Sequence, residues 1–378
     1  MTVQSKPKSP PRFLPNADLS GTLPSKYYFD PAVYEREKEE IWFKTWQFVG
    51  LAADLGEPGD YFTATVIDQP VFVVRAKSGA LRAFYNVCTH RGHILVEGRG
   101  NKKIMTCPFH AWSFDNEGRL KAAGNAENVA GFKLEDFGLA EIQVEQMANM
   151  VFVNLDPKAA SLKSMAGDLE QDLRAKIPHF DRLKFARQDC YTFDFNWKFV
   201  LDQNECYHCA IVHPGVMAGK GAYLEPSFEV TEHKYWTAVM ARSNEKERSP
   251  YGGGNRDEVA NVYIWTLWPN LILLTHQGPS NLKIQRIWAT GPETSAQTID
   301  NLCVNDPPTE LDVKQFNYYR DRVLPEDVPC MEKQQRGMRS RGYTQGRLMV
   351  DKERSWRSEH AVHHFDKLVW EALNGPNY

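Results

Sequence analysis

The amino-acid sequence predicts an α+β protein made of a small all-β domain and a larger domain with a central antiparallel sheet and helices. Two observations predict this fold class. From about residue 61 to 155, short β-type runs alternate with Gly and Asn turns. After residue 160 a polar helical stretch precedes longer β-type runs, and the chain reads as helical from about residue 309. This change of pattern places a domain boundary near residue 157.

The first element is a helix that begins at Pro31, because Asp30 is a favourable N-cap and proline suits the first helical position. We expect it to end near Trp46. The β-type runs of the small domain are YFTATVI, VFVVRA, LRAFYNV, MTCPF, AWSF and MVFVNL. The large domain opens with the helix DLEQDLRAKI and continues through FEVTEHKYWTAVMA, ANVYIWTLW, LILLTHQG and KIQRIWATG. The last helix is expected from Ser358 to Leu373, with a solvated face that carries its histidines: His360, His363 and His364.

These elements predict three segments. Residues 1–45 form an N-terminal segment and helix that pack on the large domain, residues 46–157 form the small domain, and residues 158–378 form the large one. With 378 residues, 42% of them hydrophobic, the chain can bury one large core or two smaller ones.

Composition and charge exclude several classes of function. A net charge of −3 and a pI of about 6.4 favour neither nucleic acid nor an anionic membrane as a partner. There is no apolar run long enough to span a bilayer and no secretory signal pattern. Five of the seven cysteines follow no disulfide-like spacing. We therefore expect a cytoplasmic protein.

Two loops of the small domain carry a pair of metal-ligand motifs. Cys88-Thr89-His90 is followed, sixteen residues later, by Cys107-Pro108-Phe109-His110. Two thiolates and two imidazoles at these spacings suit two irons, with both cysteines on one and both histidines on the other. This is the ligand set of a Rieske [2Fe–2S] centre, in which neutral imidazole stabilises the ferrous state and raises the potential. A Cys2His2 zinc site is the alternative that spacing alone leaves open.

A second constellation follows in residues 196–214. Glu205 and His208 are three residues apart and share one helix face. His208 and His213 are roughly 140° apart on an ideal helix, but Pro214 disfavours helical backbone at His213, so the second ring can turn back. Two histidines with an acid suggest the 2-His-1-carboxylate site of non-haem Fe(II) oxygenases. Such a pair alone is more often structural, and the neighbouring cluster motif is what favours iron.

The third iron ligand has to be a carboxylate that is distant in sequence. Residues 325–329 (Pro-Glu-Asp-Val-Pro) open a predicted helix that runs through CMEKQQRGMRSRG. Acids are common in a first helical turn because they complement the helix dipole. The residues alone leave four candidates open: Asp321, Glu326, Asp327 and Glu332.

Together these residues resemble the catalytic α subunits of Rieske non-haem iron oxygenases, from about residue 28 to 370. The resemblance implies a large domain of the helix-grip type and two metal centres. Its cluster ligands would be Cys88, His90, Cys107 and His110. Its mononuclear Fe(II) ligands would be His208, His213 and Asp327.

The resemblance also implies how the protein assembles and receives electrons. Family members are typically head-to-tail trimers, which implies a homotrimer here, and the bridge between subunits would run from His110 of one chain through Glu205 to His208 of the next. No G-x-G-x-x-G follows a strand and no plant-type ferredoxin cysteine run is present. NAD(P)H and flavin therefore belong to a separate flavin/ferredoxin-type reductase.

Two features of the sequence resemble those of the quaternary-ammonium branch of this family, which includes carnitine, glycine betaine and stachydrine oxygenases. Most members carry Asp at the bridging position, whereas this chain has Glu205 followed by Cys-Tyr-His-Cys. The run from Gln335 to Arg347 resembles the carnitine type. The reaction implied is O2-dependent hydroxylation next to a quaternary nitrogen, which gives N-demethylation or C–N cleavage of a betaine- or carnitine-like small molecule.

A trimethylammonium group is bound by cation–π contact with aromatic faces. Four residues are candidates for such a cage, with ordinary sheet core as the alternative: Tyr207, Tyr263, Trp265 and Trp268. Two other functions compete with this hypothesis. One is a Rieske oxygenase that acts on an aromatic acid or ether by dihydroxylation or O-demethylation. The other is an electron-transfer protein with a cluster and no oxygenase site.

Overall fold

The computed structural model describes residues 12–202, 228–242 and 258–376. The chain divides into two compact units. One, here called the β unit, is Lys38–Gly167; the other, the helix–sheet unit, combines the chain up to Glu37 with the chain from Asp168. The α+β class is confirmed, while the limits 46–157 and 158–378 stay a prediction. None of the helices in the described ranges combines the length and apolar character that a membrane span needs.

The α-helices of the described ranges are short to medium in length. In chain order they are α1 Pro31–Glu37, α2 Leu162–Ala166, α3 Leu169–Lys176, α4 Lys198–Asp202, α5 Glu310–Tyr318, α6 Leu324–Met338 and α7 His360–Asn374. Asp30 caps α1 as expected, since its Oδ1 accepts from the Ala32 amide at 2.9 Å. The helix nevertheless ends before Trp46: a π-helical turn, Lys38–Trp42, follows α1 directly. A capping box between Thr309 and Asp312 begins α5.

The β unit contains a seven-stranded antiparallel sheet and a three-stranded one. Its strands are β1 Gln47–Leu51, β2 Asp60–Val66, β3 Gln69–Arg75, β4 Leu81–Tyr85, β5 Arg99–Asn101, β6 Ile104–Thr106, β7 Ser113–Asp115, β8 Leu120–Ala122, β9 Glu141–Met147 and β10 Met150–Asn154. The large sheet has the order β1-β10-β9-β4-β3-β2-β5, and the small one β6-β7-β8. Gly118 closes the β7–β8 turn at φ 79°, where a Cβ would come within 2.4 Å of the Phe84 ring.

The helix–sheet unit is built on a second seven-stranded antiparallel sheet. Its strands are β11 Lys184–Phe193, β12 Glu229–Glu232, β13 Trp236–Ala241, β14 Val262–Leu267, β15 Leu271–Thr275, β16 Asn281–Gly291 and β17 Thr294–Cys303. They are ordered β11-β17-β16-β15-β14-β13-β12. The run FEVTEHKYWTAVMA is therefore two strands, β12 and β13, rather than one.

The two faces of this sheet are covered by different helices. Directly paired residues share a face, and Gln285 pairs with both Ile272 and Ile299. This face, here called the α5 face, meets the α5 region, where Tyr319 donates to Gln297 at 3.3 Å. On the opposite face, here called the α3 face, Trp265 Nε1 donates to the Asp172 carboxylate of α3 at 2.7 Å.

The prediction of a solvated histidine face on the last helix is wrong. His360 and His363 are each only 5% exposed in α7. The His363 ring stacks on Phe13 at 5.3 Å, and its Nε2–H donates to the carbonyl of Leu14 at 2.8 Å. These partners lie about 350 residues away in sequence, so local periodicity gives no sign of them.

Candidate functional site

The first metal-ligand loop of the β unit is a closed five-residue turn. The Cys88 amide donates to the His93 carbonyl at 2.8 Å, and the Gly92 amide donates back to the Cys88 carbonyl at 3.0 Å. Gly92 adopts a left-handed φ of 76°, which glycine tolerates without steric cost. The turn holds Cys88 at its start and His90 near its middle.

The second loop repeats this geometry. The Cys107 amide donates to the Trp112 carbonyl at 2.8 Å, and the Ala111 amide donates to the Cys107 carbonyl at 3.0 Å. Ala111 stands where the first loop has Gly92 and is also left-handed, with φ 58°. Two loops of equal shape thus present one Cys–His pair each, as the sequence motif predicts.

The two thiols lie together inside the β unit. Cys88 and Cys107 are each 2% exposed and belong to an apolar cluster that includes Phe72, Phe84 and Trp112. Burial, and then the neighbouring Cys107 thiol, raise the pKa of Cys88. A coordinated iron would reverse this preference, because a metal-bound thiol is deprotonated.

The two imidazoles lie together at the surface. The His90 and His110 ring centroids are 4.8 Å apart, and His90 stacks on Trp112 at 4.7 Å with an interplanar angle of 10°. Partial loss of hydration and then the charge of His90 lower the pKa of His110, which favours the neutral ring that a metal needs. Both rings border a hollow of about 590 Å³ lined by apolar residues that include Phe132 and Phe137.

This donor set fits a binuclear cluster, with a thiol-bound iron inside and an imidazole-bound iron at the surface. A Cys2His2 zinc site would instead bring all four side chains to one point. Within the described ranges, no three His, Cys, Asp or Glu side chains converge on a single ion position. The geometry therefore favours the Rieske arrangement over zinc.

The second predicted centre is only partly described. Glu205, Tyr207, His208 and His213 lie outside the described residues. Asp327 lies in the first turn of α6 and is half-buried. Burial is the main cause that raises the pKa of the neighbouring Tyr319 well above its usual range, and the Asp327 charge adds to it.

The other acidic candidates differ in exposure. Asp321 is exposed and pairs with Arg320 at 2.7 Å. Glu332 is exposed on α6, whereas Glu326 is half-buried like Asp327. The ligand assignment to Asp327 stays a prediction.

The α5 face carries a polar network that the sequence did not predict. Gln297 Nε2 donates to Gln285 Oε1 at 2.9 Å. Asp189 accepts from Arg187 and from Asn301, each at 2.9 Å. The signal was the alternation of polar residues in β16, such as Lys283 and Gln285, which local reading cannot distinguish from a solvated edge.

The cage candidates that the structure describes have other neighbours. Trp265 is fully buried on the α3 face, bonded to Asp172. Tyr263 shares that face, with the Lys176 ammonium 5.7 Å above its ring. Trp268 packs on Phe365 at 5.9 Å. The alternative of ordinary packing is therefore the better description of all three.

The fold and this site define a class of protein, the catalytic subunit of a Rieske oxygenase. Residues 45–133 match the Rieske [2Fe-2S] domain family, and residues 180–375 match the catalytic domain of ring hydroxylating alpha subunits. The chain belongs to this family of oxygenase subunits. Its cofactors are a Rieske [2Fe–2S] cluster and a mononuclear non-haem iron, and its electrons come from a separate reductase. The hypothesis of an electron-transfer protein without an oxygenase domain is wrong.

Within the Rieske oxygenases, the relatives that this chain resembles include monooxygenases named for carnitine and choline. The carnitine monooxygenase oxygenase subunit of Acinetobacter pittii is 35% identical over 367 residues, which cover 96% of this chain and 97% of that protein. Choline monooxygenase of Spinacia oleracea is 28% identical, covering 93% and 78%. Solved structures of a quaternary ammonium Rieske monooxygenase have a TM-score of 0.85 at 33% identity, covering 97% and 99%. One of these contains L-carnitine, and another was described for inter-subunit electron transfer.

Proposed function

We propose that this chain is the oxygenase component of a two-component monooxygenase that acts on a betaine- or carnitine-like quaternary ammonium. One oxygen atom of O2 enters a C–H bond next to the nitrogen, and two electrons and two protons reduce the other to water. The carbinolamine-type product then loses an aldehyde and a proton and leaves a tertiary amine. Depending on the carbon attacked, this is N-demethylation or C–N cleavage.

The observation that carries this proposal is the similarity, along 96% of the chain, to a subunit that oxidises carnitine. The solved relative with L-carnitine bound supports it. No observation on the described residues favours an aromatic acid or ether as the substrate.

We assign the metal ligands as the motifs suggest. Cys88, His90, Cys107 and His110 hold the cluster, and His208, His213 and Asp327 hold the iron. When bound, these groups supply single electrons and activate O2. The chain's own contribution at the cluster is to bury both thiols, to stack Trp112 on His90, and to keep the His110 edge accessible.

The exposed imidazole edge supports a homotrimer in which electrons pass between subunits. Glu205 of the neighbouring subunit would bridge His110 to that subunit's His208. The apolar hollow beside His90 and His110 is suited to cover by another protein surface. We infer that the reductase carries flavin and draws on NAD(P)H, and that both proteins are cytoplasmic.

A single-turnover experiment tests the proposed function. Reduced, iron-loaded protein is mixed anaerobically with carnitine, γ-butyrobetaine, glycine betaine, choline, stachydrine or benzoate, and is then exposed to O2. We expect one quaternary ammonium compound to stimulate reoxidation and to release an aldehyde. Turnover with benzoate alone would contradict the proposal and favour an aromatic substrate.

A further inference from the structure

The helix–sheet unit contains two fully buried lysines with opposite surroundings. Lys198 is 0% exposed, and its Nζ lies 2.6 Å from Glu37, itself almost fully buried. Lys283 is 2% exposed and has no carboxylate oxygen within 4.0 Å in the described part of the chain. Burying an unpaired charge is costly, so such groups are normally paired. A buried lysine with no carboxylate partner among the described residues therefore needs an explanation.

The neighbours of Lys283 leave its ammonium only weakly satisfied. Among the described residues, Nζ donates to one acceptor, the Gln315 carbonyl of α5, at a long 3.3 Å. The Tyr319 ring centroid is 5.9 Å away. Asp189 is the negative charge that raises the pKa of Lys283, but its Oδ2 already accepts from Arg187 and Asn301. An ammonium has three protons to donate, so an added anion would find donors here.

A second unsatisfied group stands beside this ammonium. His276 is 8% exposed, and its Nδ1 has no hydrogen-bond partner in the described ranges. Burial, and then the Lys283 charge, lower the pKa of His276 to about 3, so the ring is neutral at physiological pH. Its ring centroid is 6.5 Å from that of Tyr318, three residues after Gln315 on α5. His276 and Lys283 thus both face the last turn of α5.

We propose that Lys283, with the Nδ1–H of His276 beside it, binds the carboxylate of the substrate. The substrate class is then a quaternary ammonium carboxylate rather than a choline-type alcohol. This inference rests on the proposed function for the cationic end of the molecule. Tyr319 neighbours both groups: its ring centroid is 5.9 Å from Lys283 Nζ, and the Asp327 charge adds to the burial that raises the pKa of its hydroxyl.

The charges around Lys283 are consistent with binding of a substrate carboxylate. Burial is the main cause that lowers the pKa of Lys283 to about 7, with Asp189 raising it and Arg187 lowering it. The other titratable groups that face it are His276 and Tyr319. A carboxylate needs the protonated ammonium, so its affinity should fall as the pH rises through 7 and beyond. Lys283→Met should remove this dependence.

The test compares a carboxylate with its uncharged ester. Iron-loaded, anaerobic protein is titrated calorimetrically with γ-butyrobetaine and with its methyl ester. We expect the wild type to prefer the acid by about 10- to 100-fold, the worth of a hydrogen bond to a charged group. Lys283→Met should lose this preference, keep its affinity for the ester, and unfold at no lower temperature, because it removes an unpaired buried charge. Lys314→Met, on the exposed side of α5, is the matched control and should behave as wild type.

Two results would overturn the inference: equal affinity of the wild type for acid and ester, or an unchanged preference in Lys283→Met. Either would leave the proposed function standing, provided that the ester binds. If no quaternary ammonium binds but benzoate does, and Lys283→Met abolishes benzoate binding, the proposed function fails. The carboxylate-binding role of Lys283 would survive that result.

Discussion

Lys198 shows how this protein stabilises a buried charge. Glu37 accepts from Lys198 at 2.6 Å and from the Trp197 indole at 2.9 Å, and neither charged group reaches solvent. The pair joins α1 to α4, whose sequences are about 160 residues apart. Removal of one partner leaves the other charge buried without compensation, which is far more costly than the net worth of the pair.

We therefore expect Lys198→Met to lower the free energy of unfolding by about 3–5 kcal/mol. The double variant Glu37→Gln/Lys198→Met should recover much of this loss, because it removes the orphaned charge and keeps an acceptor for Trp197. Urea unfolding followed by tryptophan fluorescence measures both. Lys184, whose pair with Asp306 is exposed, is the control, and Lys184→Met should cost no more than about 1 kcal/mol. A double variant as unstable as the single one would refute this account.

Individual residues were predictable where their chemistry is encoded locally. Cys88 and His90 belong to a short loop motif, and so do Cys107 and His110; the structure brings each type together as a pair. Lys283 was not predictable, because a lysine in an alternating strand normally marks a solvated face. Here helices cover both faces of the sheet, and only the fold shows that Lys283 is buried.

At the scale of elements, the two metal-ligand loops differ at one informative position. Gly92 and Ala111 occupy equivalent left-handed positions, and left-handed backbone costs a residue with a Cβ about 1–2 kcal/mol. We expect Ala111→Gly to leave the second loop as stable or up to about 1 kcal/mol more stable. Relief of the left-handed backbone strain offsets the greater conformational entropy that glycine gives the unfolded chain.

The reverse change tests the same argument. A Cβ on Gly92 would meet nothing within 4 Å, so backbone strain is the whole cost of Gly92→Ala. We expect that variant to lose its cluster absorbance at a lower temperature than wild type. Gly337→Ala, in the last turn of α6, where a Cβ would also meet nothing within 4 Å, is the control and should not lower the temperature. If Gly92→Ala and wild type lose their cluster absorbance at the same temperature, backbone strain in the loop is unimportant.

Strands were predictable where one face is polar and the other apolar, or where a run is uniformly apolar. Thus β10 and β15 lie within predicted runs, and β3 overlaps one but begins two residues earlier, at Gln69. β11 and β17 were missed, because KFARQDCYTF and TSAQTIDNLC carry polar residues on both faces. Arg187 in β11 bonds to Asn317, and Gln297 in β17 bonds to Tyr319. Those partners come from a helical region that local patterns do not connect to these strands.

At the scale of the whole molecule, the proposed trimer makes a quantitative prediction. His110→Ala removes a cluster ligand and Asp327→Ala removes the proposed iron ligand, so each variant alone should be inactive. An Asp327→Ala subunit keeps its cluster site, and a His110→Ala subunit keeps its iron site. If electrons pass from the cluster of one subunit to the iron of the next, a mixed ring regains activity wherever an Asp327→Ala subunit donates to a His110→Ala neighbour. Every closed ring of three subunits that contains both variants has one such ordered pair among its three, so purified mixed rings should recover about a third of the wild-type activity.

Co-expression with two different affinity tags, followed by tandem purification, isolates the mixed rings for a turnover assay. Co-expressed His110→Ala and Cys107→Ala should stay inactive, because no subunit then has an intact cluster site. Light scattering confirms that every preparation has the same oligomeric state. Inactive mixed trimers would place electron transfer within one chain and would leave Glu205 without a bridging role. A monomeric wild type would remove the basis of the bridge altogether, since each subunit would then have to complete the electron path alone.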